Sequence, residues 1–195
     1  MRLGRWAYLR WGQLLVFLML VGCATHQEQS SFEPQLSRSG RFVLKVQSPG
    51  KEAESVQGSF YWRQNAGGWQ LDLLSPLGAT LARIEAVNDK GVVLIRPGEP
   101  VVKAGSASDL ASRMFGAQVP MDALPDWLQG QVSPKFDIRM IERGEDDQIV
   151  KLNQQGWTAS FSRYDQVGPQ SIDVRGLDQS TEVQLRLVVQ GALTA

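Results

Sequence analysis

The 195-residue sequence holds one cysteine and one histidine, and its 20 basic residues are matched by 20 acidic ones. A lone cysteine closes no intramolecular disulfide, and one cysteine with one histidine makes no structural zinc set. Zero formal charge leaves no basic excess for tracking phosphates, which sets nucleic acid aside as a partner. Nucleophilic catalysis usually pairs Ser, Cys or Thr with a histidine base, and the sole histidine, His26, lies in a polar stretch near the N-terminus. Gly-rich phosphate loops and nucleotide fingerprints are missing. The densest acidic cluster, Glu145-Asp146-Asp147, follows Arg143-Gly144 and reads as a solvated hairpin tip rather than a metal or acid–base site. These absences point away from an enzyme and call for no metal or cofactor. A content of 43% hydrophobic and 21% charged residues also excludes the disordered, collagenous and coiled-coil classes.

What the N-terminus does contain is an address. Arg2, Arg5 and Arg10, with no acid among them, precede the apolar run Leu14 to Val21. This is the layout of a secretory signal. Eight residues rise about 12 Å as a helix, far short of the roughly 20 residues that a bilayer span needs. The run ends Leu20-Val21-Gly22-Cys23, which resembles the lipobox of bacterial lipoproteins. That resemblance implies cleavage before Cys23, a diacylglycerol on its thiol and an acyl chain on its new amine. Ala24, standing where an aspartate retains such proteins at the inner membrane, implies the outer membrane, facing the periplasm. Residues 1–22 are thus expected to be a signal peptide, and the mature chain carries 17 basic and 20 acidic residues. A single acyl chain binds membranes marginally, whereas two or three anchor firmly at about 0.8 kcal/mol per methylene. Residues 23–37 are polar and read as a lipidated tether.

From residue 38 to 195 the pattern is that of one domain dominated by period-two alternation. Phe42, Leu44 and Val46 make one face, Phe60 and Trp62 another, and Trp69, Leu71 and Leu73 a third. Ala82, Ile84 and Ala86 follow, then Val92 to Ile95, Phe136 to Met140, Trp157 to Phe161, and Val183 to Val189. Gly67-Gly68, Asn88-Asp89-Lys90-Gly91 and Gln155-Gly156 provide the turns. The expected fold is mainly β, a curved antiparallel sheet of roughly ten or eleven strands. Only the middle departs from this pattern. Ser106-Ala107-Ser108-Asp109 starts a helix carrying Leu110, Met114 and Phe115, and a second short helix after Pro120 carries Leu124, Trp127 and Leu128. A sheet of that many strands curls towards a barrel, whose inward face must be filled by side chains, helices or a ligand. Alternation alone does not choose among these.

The lipobox, Gly40-Arg41-Phe42, Gly58-Ser59-Phe60-Tyr61-Trp62, Leu73-Leu74-Ser75-Pro76-Leu77-Gly78, Leu124-Pro125-Asp126-Trp127-Leu128-Gln129-Gly130 and Gly156-Trp157-Thr158-Ala159-Ser160-Phe161-Ser162-Arg163-Tyr164 occur in the order and spacing of the LolB family. The resemblance spans most of the mature chain. It implies an unclosed barrel capped by helices and an apolar cavity that takes up acyl chains. It also implies a receptor that accepts lipoproteins from the periplasmic carrier LolA and places them in the inner leaflet of the outer membrane. The leucine of the Ser75-Pro76-Leu77-Gly78 loop is then the residue that protrudes towards the membrane. Cavity candidates are Phe42, Leu44, Phe60, Trp62, Leu71 and Leu73, and cover candidates are Met114, Phe115, Trp127 and Leu128. Partners are a LolA-type carrier, cargo acyl chains and the leaflet, and the receptor is expected as a monomer. The alternatives are an assembly lipoprotein that binds protein through a sheet edge over a solid core, and a hydrolase using two convergent carboxylates.

Overall fold

The computed structural model describes residues 34–88, 90–115, 119–178 and 180–190, with the side chains of Met114 and Phe115 excepted. The expected signal peptide, Cys23 and most of the proposed tether lie outside the described residues, as do the side chains of two cover candidates. Eleven strands run in chain order: β1 Leu36–Gln47, β2 Glu54–Asn65, β3 Gly68–Leu74, β4 Thr80–Val87, β5 Gly91–Ile95, β6 Val102–Ala104, β7 Ile138–Arg143, β8 Ile149–Gln154, β9 Trp157–Tyr164, β10 Pro169–Asp178 and β11 Thr181–Val189. Between β6 and β7 stand α1 (Ala107–Phe115), a 3-10 turn (Met121–Ala123) and the single-turn helix α2 (Leu124–Trp127). β1 begins two residues ahead of Arg38, inside the stretch read from sequence as tether.

All strands belong to one antiparallel sheet in the order β6-β5-β4-β3-β2-β1-β11-β10-β9-β8-β7. Two meanders are joined where the first strand meets the last. The sheet is not closed, because β6 and β7 are its two edges, and the helices occupy the chain that connects them. Alternation sets which face turns inward. On β11, Thr181, Val183, Leu185, Leu187 and Val189 are buried while Glu182 and Arg186 are exposed. Pairing places Phe42 opposite Leu187 and Leu44 opposite Leu185 across the seam, and Ile172 and Val174 continue the row on β10. A slip of one residue would send every one of these side chains into water, so the register is strongly specified.

Three strands, β6, β8 and β10, escape the individual faces named from sequence. β6 has only three residues, and β10 runs Pro-Gln-Ser-Ile-Asp-Val-Arg, too polar to stand out. On β7 the expected Phe136–Ile138–Met140 face does not form. The register shifts between Ile138 and Met140, Ile138 is half exposed, and Phe136 precedes the strand. A bulge on an edge strand breaks the alternation that a sequence reading assumes.

A buried ion pair ties the start of β1 to the β9–β10 hairpin. The Arg38 side chain is fully buried, donates Nη1–H to Asp165 Oδ1 at 2.7 Å and Nη2–H to the Pro169 carbonyl at 2.6 Å. Asp165 also accepts the backbone N–H groups of Val167 and Gly168, which closes the hairpin. Burial pushes the Asp165 carboxyl up, but the Arg38 hydrogen bond, the two N–H groups and the guanidinium charge outweigh it, so its pKa is held below the ordinary value. With the folded value below that of the unfolded chain, the stabilisation from this carboxylate is complete above about pH 4 and is lost as pH falls through the folded value. Replacing Arg38 by Ala should cost about 3 kcal/mol in urea unfolding at pH 7, the cost of breaking a buried pair from one side. In D165N the fall in stability below about pH 4 should be shallower than in the parent; an unchanged acid profile would show that other carboxylates control it.

Candidate functional site

The concave face of β1–β4 and β11, together with the helices, encloses a cavity of about 70 Å³. Phe42 and Leu44 come from β1, Phe60 from β2, Leu71 and Leu73 from β3, Ala82 and Ile84 from β4, and Leu185 and Leu187 from β11. The cover contributes Ala107, Leu110, Ala111, Val119, Met121, Leu124 and Leu128. None of these side chains carries a nitrogen or oxygen. An unpaired polar group buried there would cost a few kcal/mol, whereas hydrocarbon costs nothing to desolvate twice. The walls therefore suit an aliphatic guest.

Size sets a second condition. An engineered cavity of about 150 Å³ takes up benzene, and this one is less than half as large. As it stands, the cavity is too small for a long aliphatic chain. The attachments of the cover therefore bear on what it could admit.

The α2 side is fastened firmly. Gln154 on β8, 1% exposed, accepts the Trp127 indole N–H and the Ser133 backbone N–H through Oε1, each at 3.1 Å. Its Nε2 donates to the carbonyls of Ser133 at 2.7 Å and Phe136 at 2.9 Å. One buried amide thereby satisfies four groups. Gly130 ends this segment at φ +69°, and the Tyr164 ring sits where a side chain at 130 would have to go.

The α1 side is held more lightly. Ser106 Oγ caps the helix by accepting the Asp109 N–H at 3.0 Å. Asp122 accepts the N–H groups of Ala107 at 3.1 Å and Ser108 at 3.0 Å, placing a carboxylate at the positive end of the helix. Those bonds join one part of the cover to another. Among the described residues, the side-chain hydrogen bond from α1 to the sheet is an exposed one of 3.3 Å from Arg113 to the Lys103 carbonyl. Its described buried side chains, Ala107, Leu110 and Ala111 at i, i+3 and i+4, add apolar contact.

Of the cavity candidates, Phe42, Leu44, Phe60, Leu71 and Leu73 line the cavity, and so does Leu128 from the cover set. Trp62 does not. It is 1% exposed and pairs with Arg38, nearer the other end of β2, because alternation gives the face but not the depth along the strand. Trp127 is also buried away from the cavity, as the anchor to Gln154. Ala82, Ile84, Leu185 and Leu187 lie on faces legible in the sequence, yet only the register carries them across to the same cavity. Gln154, Asp122 and the Arg38–Asp165 pair left no pattern in the sequence to find them by.

Leu77 stands apart, 98% exposed at the tip of the β3–β4 turn. Ser75 builds that turn. Its carbonyl accepts the Gly78 N–H at 2.9 Å, its N–H donates to the Ala79 carbonyl at 2.8 Å, and its Oγ accepts the Ala79 N–H at 3.1 Å. Pro76 precedes Leu77, and Gly78 takes φ +85°, so the turn is rigid and presents a single large apolar side chain.

The sequence profile of the family described as Outer membrane lipoprotein LolB matches residues 35–191. The chain belongs to the LolB family. Outer-membrane lipoprotein LolB of Bordetella petrii is 31% identical over 186 residues, covering 94% of this chain and 93% of the relative. Its counterpart in Bordetella pertussis is 32% identical over 177 residues, covering 90% and 88%. Among solved structures, a domain of Vibrio parahaemolyticus described under outer membrane lipoprotein sorting superposes with a TM-score of 0.50 at 10% identity, over 82% of this chain and 86% of that one. At that identity the likeness concerns the fold, an unclosed antiparallel sheet with few helices.

The Gln154 hub gives a direct test of how the LolB cover is fixed. Gln154→Leu preserves bulk but strands the Trp127 and Ser133 N–H groups, at about 1–3 kcal/mol each. Urea unfolding should show that loss with an unchanged slope, and a loss below 1 kcal/mol would mean that water replaces the amide.

Proposed function

We propose that this protein is an outer-membrane receptor for lipoproteins, anchored through lipidated Cys23 and facing the periplasm. It accepts acylated cargo from a LolA-type carrier as a monomer, shelters the acyl chains in the cavity and releases them into the inner leaflet. One observation carries this reading: a cavity walled by side chains without nitrogen or oxygen lies under a cover whose described polar ties to the sheet are a buried amide hub on one side and an exposed hydrogen bond on the other. Membership of the LolB family supports it.

The energetics fit a passive hand-off. Acyl chains are worth about 0.8 kcal/mol per methylene out of water, so free passage across an aqueous space is negligible and a greasy shelter is needed at each stage. Differences of about 1.4 kcal/mol between successive shelters bias each transfer tenfold. Opening the cover exposes apolar wall to water, and an incoming chain covers it again, so cargo supplies the driving force for its own admission. No step needs catalysis. Leu77 gains about 1.5–3 kcal/mol on full burial, too little to anchor the protein and enough to dip into a leaflet at the point of release.

The small interior favours a second reading: a lipoprotein with a filled core that binds protein through the β7 edge. Transfer separates the two. With cargo-loaded LolA, the parent chain should take up cargo and pass it to vesicles. Leu77→Glu should take up cargo normally and deliver it at most at about a tenth of the parent rate, given the cost of placing a charge at the leaflet. Normal delivery by L77E would remove the role given to the loop, and failure of the parent to accept cargo would favour the edge-binding reading.

A further inference from the structure

The cavity adjoins a larger space. Leu44 on β1 and Leu110 on α1 line both the 70 Å³ cavity and a neighbouring cleft of about 480 Å³. Both residues are buried, 9% and 1% exposed, and we take them as the septum between the two spaces. Beyond the septum the lining turns mixed, with Val56 and Val102 beside Glu54, Arg96 and Arg113. A third cleft of about 490 Å³, lined in part by Ser106, Asp109, Lys135 and Leu177, shares no lining residue with the cavity.

We propose that the cleft behind Leu44 and Leu110 is the mouth of the cavity, where the ester and amide carbonyls of an acylated lipid head sit while its tails occupy the apolar interior. This deepens the acyl-chain reading above and rests on it. Three observations converge. The septum includes Leu110, which belongs to the lightly held α1, so displacing that helix joins the two spaces without disturbing the Gln154 hub. Polarity rises in the order an acylated head requires, from hydrocarbon walls to arginine. Each guanidinium offers five N–H donors; Arg113 places one on the Lys103 carbonyl, and Arg96 pairs with Glu99 at 2.6 Å, so donors remain for lipid carbonyls. Finally, Arg96 starts the β5–β6 turn, which antiparallel order puts at the same end of the sheet as the β3–β4 turn bearing Leu77. A tail leaving by this mouth emerges on the side where the proposed leaflet contact stands.

The test uses the full chain and two photoreactive palmitic acids, one with a diazirine beside the carboxyl group and one with it at the methyl end, the carboxylate standing in for the ester carbonyl. With labels localised to single residues, the carboxyl-side probe should mark Val56, Val102 or Arg113, and the methyl-end probe Phe60, Leu71 or Leu124, both suppressed by unlabelled palmitate. V102W, which fills the mouth, should lower labelling about tenfold, equivalent to about 1.4 kcal/mol. L177W, in the third cleft, should leave it unchanged. R113E, at an exposed position, keeps the test open if V102W folds poorly, and should reduce carboxyl-side labelling selectively. Carboxyl-side labelling at Ser106–Asp109 or Lys135, with the methyl end still in the cavity, would overturn the mouth and leave acyl binding standing. Absence of competed labelling by either probe in the parent would overturn both.

Discussion

An apolar concave face on a sheet whose edges do not meet is the constraint from which the rest of the molecule follows. Eleven antiparallel strands curl but stop short of closure, leaving β6 and β7 as separate edges. A closed small barrel fills its interior with its own inward side chains and needs no lid. An open one must cover that face with something else, and here the chain between the two edges supplies it. The cover is therefore a consequence of incomplete closure, and in the proposed function the same segment that completes the core is the one that has to leave it.

The described attachments of the cover differ in kind from one side to the other. At α2 the fixed points are polar, buried and mutually satisfied, with one glutamine amide serving an indole, one backbone N–H and two carbonyls. Such a network is costly to open because each broken bond leaves an orphan in a dry place. At α1 the adhesion is apolar contact, which is non-directional and is restored by any hydrocarbon that replaces it. In the proposed function a fatty chain would substitute for Leu110 and Ala111 against the sheet and would not substitute for Gln154, so the chemistry of each attachment would decide which part of the cover yields.

Much of the β architecture was legible in the sequence because period-two alternation reports directly on a half-buried sheet. Alternation groups Phe42 with Leu44, Phe60 with Trp62, and Leu71 with Leu73 on their own strands; the family resemblance implies one cavity for all six, and five of them line it. The helix start at Ser106 was equally readable, since its hydroxyl caps the Asp109 N–H. Trp62 shows the limit, facing the right way at the wrong depth. β7 shows another, where a bulge on an edge strand undoes the alternation. The Ser75-Pro76-Leu77-Gly78 turn stands out in the sequence through the family resemblance, and its geometry accounts for a leucine left 98% exposed.

The sequence by itself determined which side chains are apolar, at what period, and where turns and helices begin, because those depend on residues a few positions apart. Only the tertiary structure decided that the first and last strands pair, that Arg38 meets Asp165, that Gln154 gathers Trp127 and Ser133, and that Leu44 and Leu110 together separate two spaces. Each of these joins residues far apart in the chain, and no local spacing encodes such a meeting. It is fixed by strand register and by the requirement that buried polar groups find partners.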